Sequence, residues 1–200
     1  MLLHCPENNG HLGHALDYSV SIEELMDSLY ALVKAGKVLY LGSSNMPAWA
    51  SKKPDRRQGE RTGHVCRFAD QVERARRELL PMARTYGMAI APWSALASRQ
   101  LQSEKQLAKL QAEGTFRKGW GGDSLTEEER QYSKVVTEIA VAHGLGDESI
   151  APVALAYLLN KYPRVFPIVA FHSAEQLHDN FRGLSVTLTD EEMKRLESEA

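Results

Sequence analysis

The sequence predicts an α/β fold built on a parallel sheet, and three observations predict it. Apolar stripes at three- and four-residue intervals alternate with short, uniformly apolar runs. Several of the helical stretches open on Ser or Thr three residues before Glu or Gln and stop at Gly. The apolar runs end at polar or Gly-bearing residues, as strands do when their carboxyl ends face ligand-binding loops.

Taken in order, residues 1–20 carry little periodicity, and a weak strand is expected only over 12–16. The first clear step follows. Ser21 and Glu24 have capping-box spacing, and Ile22, Leu25, Met26, Leu29, Leu32 and Val33 make one apolar helix face that Gly36 closes. A buried strand is expected over 38–42, leading to Ser43, Ser44 and Asn45. Residues 50–64, crowded with Lys, Arg, Gly and Pro, read as an exposed loop.

A helix is predicted over 70–86, with Pro81 removing one backbone donor and bending it. Gly87 ends it, and a strand over 88–91 runs into Pro92, Trp93 and Ser94. A polar loop follows, with Gly119, Gly121 and Gly122 giving it the freedom of a lid. Thr126 and Glu129 start a long helix that stops at Gly144. Ser149 is the expected cap of the next helix, 150–161, whose first turn tolerates Pro152. A third strand is expected over 165–170. Ser173 and Gln176 then cap a helix closed by Gly183, and Thr189 and Glu192 open a last one.

Bulk properties exclude several classes. The formal net charge of -2 gives no electrostatic reason to expect nucleic acid. No apolar run reaches the ~18 residues of a membrane span, and the first residues lack the basic and apolar regions of a signal peptide. Cys5 and Cys66 stand far apart without a CxxC pattern, and a reduced, cytoplasmic protein is expected. His4, Cys5, His11 and His14 fit no standard zinc spacing, so no metal is expected. No GxGxxG or P-loop opens a helix.

Four pieces, HALDYSVSIEELMDSLYALVKAGKVLYLGSSNMPAWA, RRELLPMARTYGMAIAPWSAL, GWGGDSLTEEE and FPIVAFHSAEQLHDNFRGLSVTLTDEE, occur in an order and spacing that resemble the aldo-keto reductase family. The similarity is strongest to its fungal aryl-alcohol dehydrogenase and norsolorinic acid reductase branch. It implies a partial (β/α)8 TIM barrel: the carboxyl-terminal strands four to eight with their helices, in a single domain over 1–200 that is incomplete at its amino terminus. It also implies an NADP-dependent oxidoreductase that interconverts aryl or polyketide-type aldehydes or ketones and their alcohols within fungal secondary metabolism. The expected partner is therefore a small carbonyl or alcohol substrate.

The resemblance implies site residues as well. His14 falls at the position of the catalytic histidine that orients the substrate carbonyl. Ser44 and Asn45 match the pair holding the nicotinamide carboxamide, which needs both a donor and an acceptor. Trp93 matches the aromatic ring stacked on the nicotinamide, and Ser94, Leu96 and Ser98 match the pyrophosphate loop. The family commonly has Gly near Ser98, where a side chain narrows the approach of phosphate. His172, Ser173, Gln176 and Asn180 match the adenosine end, with His172 in place of an Arg that grips the 2′-phosphate. A neutral imidazole lacks that bidentate grip. The family's sixth strand is expected over 65–69, without the Gln that contacts nicotinamide.

The family's catalytic Tyr, Lys and Asp come from three strands that the resemblance places before residue 1. Tyr18, Tyr30 and Tyr40 match no catalytic position, so turnover by these residues alone is not expected. A non-catalytic protein that keeps a cofactor pocket is the alternative. The composition shift over 50–69 motivates a third reading, a gene product that does not fold.

Overall fold

The computed structural model describes residues 2–5, 10–14, 18–44, 62–67, 78–96, 101–114 and 125–198, with the backbone alone at 2–5, 10–14 and 62–67. The expected lid, Asn45 and Ser98 lie outside the described residues. So do 50–61 of the basic loop, 68–69 of the expected sixth strand and 70–77 of the predicted helix. The chain forms two compact units: Met1–Trp93 with Arg164–Phe166, and Ser94–Pro163 with Pro167–Ala200.

The first unit holds a sheet in chain order: β1 (Leu2–Cys5), β2 (Gly10–His14), β3 (Tyr40–Ser44), β4 (Thr62–Arg67) and β5 (Ala89–Trp93). The pairs from β2 to β5 are parallel. β1 pairs antiparallel with β2, an edge strand that the sequence reading did not anticipate. β1 has no apolar alternation to mark it, while β2 overlaps the weak strand expected over 12–16 and starts two residues earlier, at Gly10 and His11, which a hydrophobicity argument does not see.

Helix α1 (Ile22–Lys34) begins as expected, with the Glu24 amide donating to Ser21 Oγ at 3.2 Å. Leu25, Met26, Leu32 and Val33 pack against a cluster of Leu29, Val38 and Leu41. The strand after it starts two residues later than predicted and reaches Ser44. Gly36 adopts φ +70° and the Lys37 amide returns to the Leu32 carbonyl, so the turn consumes the first apolar residues. Val38 is buried but outside the ladder. β4 overlaps the strand expected over 65–69 but starts earlier, taking in Thr62, Gly63 and His64 of the expected loop.

Pro81 sits in the first turn of α2 (Leu80–Tyr86), after a single π-type turn at 78–79. Leu79 before it is itself helical, with φ -72° and ψ -46°, so the helical path is already under way where Pro81 removes a backbone donor. The strand expected over 165–170 is reduced to one bridge. Ile90 N donates to Arg164 O and Phe166 N to Ile90 O, both at 2.8 Å. Pro167 has no N–H to continue such a ladder.

The second unit is helical. Helix α3 (Glu104–Ala112) occupies part of the predicted polar loop. Its Ser103–Gln106 capping box is complete, with both reciprocal bonds at 3.1 Å. Helix α4 (Glu127–Ala142) starts on the predicted Thr126–Glu129 box and buries Val135, Val136, Ile139 and Ala140. Helix α5 (Ala151–Lys161) is preceded by Ile150 with no side-chain cap, so Ser149 is not the cap; Pro152 lies in the first turn. Helix α6 (Ala174–Arg182) runs into a 3-10 turn, Gly183–Ser185. Helix α7 (Asp190–Ser198) opens with Thr189 and Glu192 bonded reciprocally at 2.8 and 3.2 Å.

Candidate functional site

In the first unit, parallel pairing brings the carboxyl ends of four strands to one edge of the sheet. His14 and Ser44, the last residues of β2 and β3, are register partners. Ser44 pairs with Val65 of β4, and Val65 with Ala91 of β5. Two residues further along, Arg67 pairs with Trp93, the last residues of β4 and β5. His14, Ser44 and Trp93 therefore stand on a common edge, the end of an α/β sheet where ligands bind. Ser44 is buried and Trp93 half-buried.

Arg67 is the strand-end residue that sequence reasoning missed. It closes a strand that begins inside a basic, Gly-bearing run, and charge there reads as solvated surface. Its signal was positional: the last residue before Phe68 in an extended stretch between two other parallel strands.

After Trp93 the chain turns sharply. Ser94 has φ +56°, a left-handed backbone uncommon for a residue with a side chain. Leu96 follows in a turn and is half-buried.

In the second unit, His172, Ser173 and Gln176 meet at the start of α6. The Gln176 amide donates to Ser173 Oγ at 3.2 Å, and the His172 amide donates to Gln176 Oε1 at 2.8 Å. The Gln side chain thus reaches one residue beyond the expected capping box. These residues are exposed, whereas Asn180, one turn further on, is buried. A helix start offers backbone donors and a positive dipole end to an anion. One feature weakens that pull here: Glu175 puts a carboxylate in the first turn.

Tyr18 and Tyr40 are exposed, and burial pushes the Tyr132 phenol up to about 12, away from the range useful near neutrality. No group of three or more His, Cys, Asp or Glu among the described residues could hold a metal ion. No helix among them is long and apolar enough to cross a membrane.

A sheet whose β2 to β5 run parallel, with His14 and Ser44 in register at its carboxyl edge and Trp93 at the end of β5, defines an α/β protein. The model of the aldo/keto reductase family matches residues 3–199, and the chain belongs to that family. Among its relatives, the aldo-keto reductase ausK of Aspergillus calidoustus is 43% identical over 190 residues, covering 92% of this chain and 48% of that protein. The NADP(+) aryl-alcohol dehydrogenase of Phanerodontia chrysosporium is 36% identical, with 92% and 49% covered. The norsolorinic acid reductase stcV of Emericella nidulans is 38% identical, with 92% and 46% covered. The chain thus spans about half the length of these relatives. In fold it resembles a thermostable aldo-keto reductase, Tm1743, solved with the inhibitor epalrestat. The TM-score is 0.68 at 22% identity, covering 94% of this chain and 58% of that one.

Proposed function

We propose that this chain carries the cofactor-binding edge of an NADP-dependent aldo-keto reductase acting on aryl or polyketide-type aldehydes and ketones, or on their alcohols, in fungal secondary metabolism. In this reading the sheet is the carboxyl-terminal part of a (β/α)8 barrel. The observation that carries it is the alignment of His14, Ser44 and Trp93 on one sheet edge.

The donor set fits a nicotinamide dinucleotide. An indole offers a flat face to the ring, and the Ser44 hydroxyl, with Asn45 next in sequence, suits a carboxamide. Taken by itself, the second unit's helix start, with Ser173 and Gln176, has donors of the kind an adenosine end needs, while His172 and Glu175 make a preference for a 2′-phosphate weak. When bound, NADPH supplies the hydride. His14 would orient the carbonyl, Ser44 and Trp93 would hold the ring, and Ser94 and Leu96 would serve the pyrophosphate.

Relatives named as an NADP(+) aryl-alcohol dehydrogenase and a norsolorinic acid reductase support the cofactor and substrate classes. The test is the purified chain with NADPH and a panel of aryl aldehydes, followed by NADPH absorbance and by Trp93 fluorescence in a Trp49→Phe/Trp120→Phe background. Saturable quenching without turnover is the expected result, because Tyr18, Tyr30 and Tyr40 match no catalytic position of the family. Turnover above the buffer rate would defeat the non-catalytic part of the reading; absence of quenching would defeat the cofactor part.

A further inference from the structure

We propose that the outer face of α6 pairs two copies of this chain, antiparallel, about a twofold axis. The helix is mounted with its ordinary polarity reversed. Its inner side carries Asn180, 8% exposed, and Gly183, whose missing side chain lets the backbone close on Pro152. Its outer side carries Phe181 at 54% and Leu184 at 67% exposure, with Leu177 half-buried and Ala174 exposed beside them. Positions 174, 177, 181 and 184 follow three- and four-residue spacing, so α6 and the 3-10 turn after it present one apolar stripe. A buried Asn amide behind large exposed apolar side chains marks a contact face rather than scattered surface hydrophobics.

The charges beside the stripe fit a second copy. Glu175 in the first turn and Arg182 in the last stand about two turns apart, so they flank the stripe on the same side. Laid antiparallel against itself about residues 178–179, the helix sets Leu177 against Phe181 and Ala174 against Leu184 of the second copy. The same operation sets each Glu175 against the other copy's Arg182, as flanking charges pair across an antiparallel helix seam. Arg182 Nη1 and Nη2 lie 3.3 Å from Asp179 Oδ1 and the Gly144 carbonyl oxygen, contacts that steady the guanidinium and leave it further donors. One short helix and a turn bury less than the roughly 1,200 Å² of stable interfaces, so the association is weak and concentration-dependent.

Sedimentation equilibrium of the full chain, from micromolar to millimolar concentration, tests the pairing. The expected result is a monomer–dimer equilibrium that Phe181→Ser weakens about tenfold while the melting temperature is kept. Glu175→Arg should weaken it about threefold, and Glu175→Arg with Arg182→Glu should restore it, because the reversed charges attract again. A chain that stays monomeric up to millimolar concentration overturns the pairing and leaves the face to another protein or to a further segment of a longer polypeptide. A dimer indifferent to both Phe181→Ser and Leu184→Ser uses another face and overturns it as well. A dimer weakened by Phe181→Ser but untouched by Glu175→Arg, or not restored by the double reversal, overturns the antiparallel arrangement. Should Phe181→Ser not fold, Leu184→Ser, at the more exposed of the two positions, decides in its place.

Discussion

His14 and Ser44 are register partners at the carboxyl ends of two adjacent parallel strands. A parallel ladder fixes that relationship, because a one-residue slip would send each side chain to the opposite face. Ser44 is also buried, so its hydroxyl is held in place rather than left to solvent. Ser44→Ala is expected to weaken NADPH binding about three- to tenfold, the loss of one ordinary hydrogen bond. Calorimetric titration checks it, and an unchanged melting temperature separates lost contact from lost fold.

Gly183 is a packing requirement. A Cβ built there would stand 2.6 Å from the Pro152 carbonyl oxygen and 3.2 Å from Leu155 Cβ. Backbone cannot yield as a flexible side chain can, so Gly183→Ala should cost about 1–3 kcal/mol in urea unfolding. Gly36 supplies the contrast. It has open space around it but φ +70°, so Gly36→Ala should cost about 1 kcal/mol through the backbone alone.

Glu192 links stability to acid. Its burial pulls the carboxyl pKa upward, but the Thr189 amide, the His143 ring and the Thr189 hydroxyl outweigh that and hold it below the ordinary value. His143 Nε2 lies 2.9 Å from Glu192 Oε1, while Oε2 takes the Thr189 amide. A carboxyl with a lowered folded pKa gives stability that is present above its unfolded pKa and lost as pH falls through the folded one. Glu192→Gln should therefore lower the melting temperature near neutrality and flatten its decline on the acid side of the ordinary glutamate value. Melting curves from neutral pH into that range test both.

Helix α7 tests which contacts hold a charged terminal helix. Arg195 pairs with Glu138 at 2.5 Å with both side chains about half exposed, and Lys161 pairs with Glu197. An exposed pair contributes about 0–1 kcal/mol, whereas truncating a buried leucine costs about 2–5 kcal/mol. Leu196 is 1% exposed. Leu196→Ala should thus destabilise the chain several times more than Arg195→Ala in denaturant titrations.

Local chemistry made much of this fold legible in the sequence. Thr126–Glu129 and Thr189–Glu192 announced their helices because a capping box is a short-range pattern. The Ser103–Gln106 box announced α3 equally well, but the polar run around it read as loop. Strand limits were less legible. The turn after Gly36 displaced β3 by two residues, and Pro167 cut the expected strand at 165–170 to a single bridge. β1 had no signal, because antiparallel pairing of a short edge strand depends on its neighbour rather than its own pattern.

The site followed the same division. Once the sheet was taken as parallel, His14, Ser44 and Trp93 had to share an edge. The pairing of Arg67 with Trp93 did not emerge, because it depends on register across β4 and β5, which no local spacing encodes.

The most direct measurement is a calorimetric titration of NADPH into the folded chain, repeated with Trp93→Ala. A nicotinamide-binding edge predicts a saturable one-to-one isotherm in the micromolar range that Trp93→Ala weakens at least tenfold. Heats no larger than dilution up to millimolar NADPH, from a chain that melts cooperatively, would contradict it.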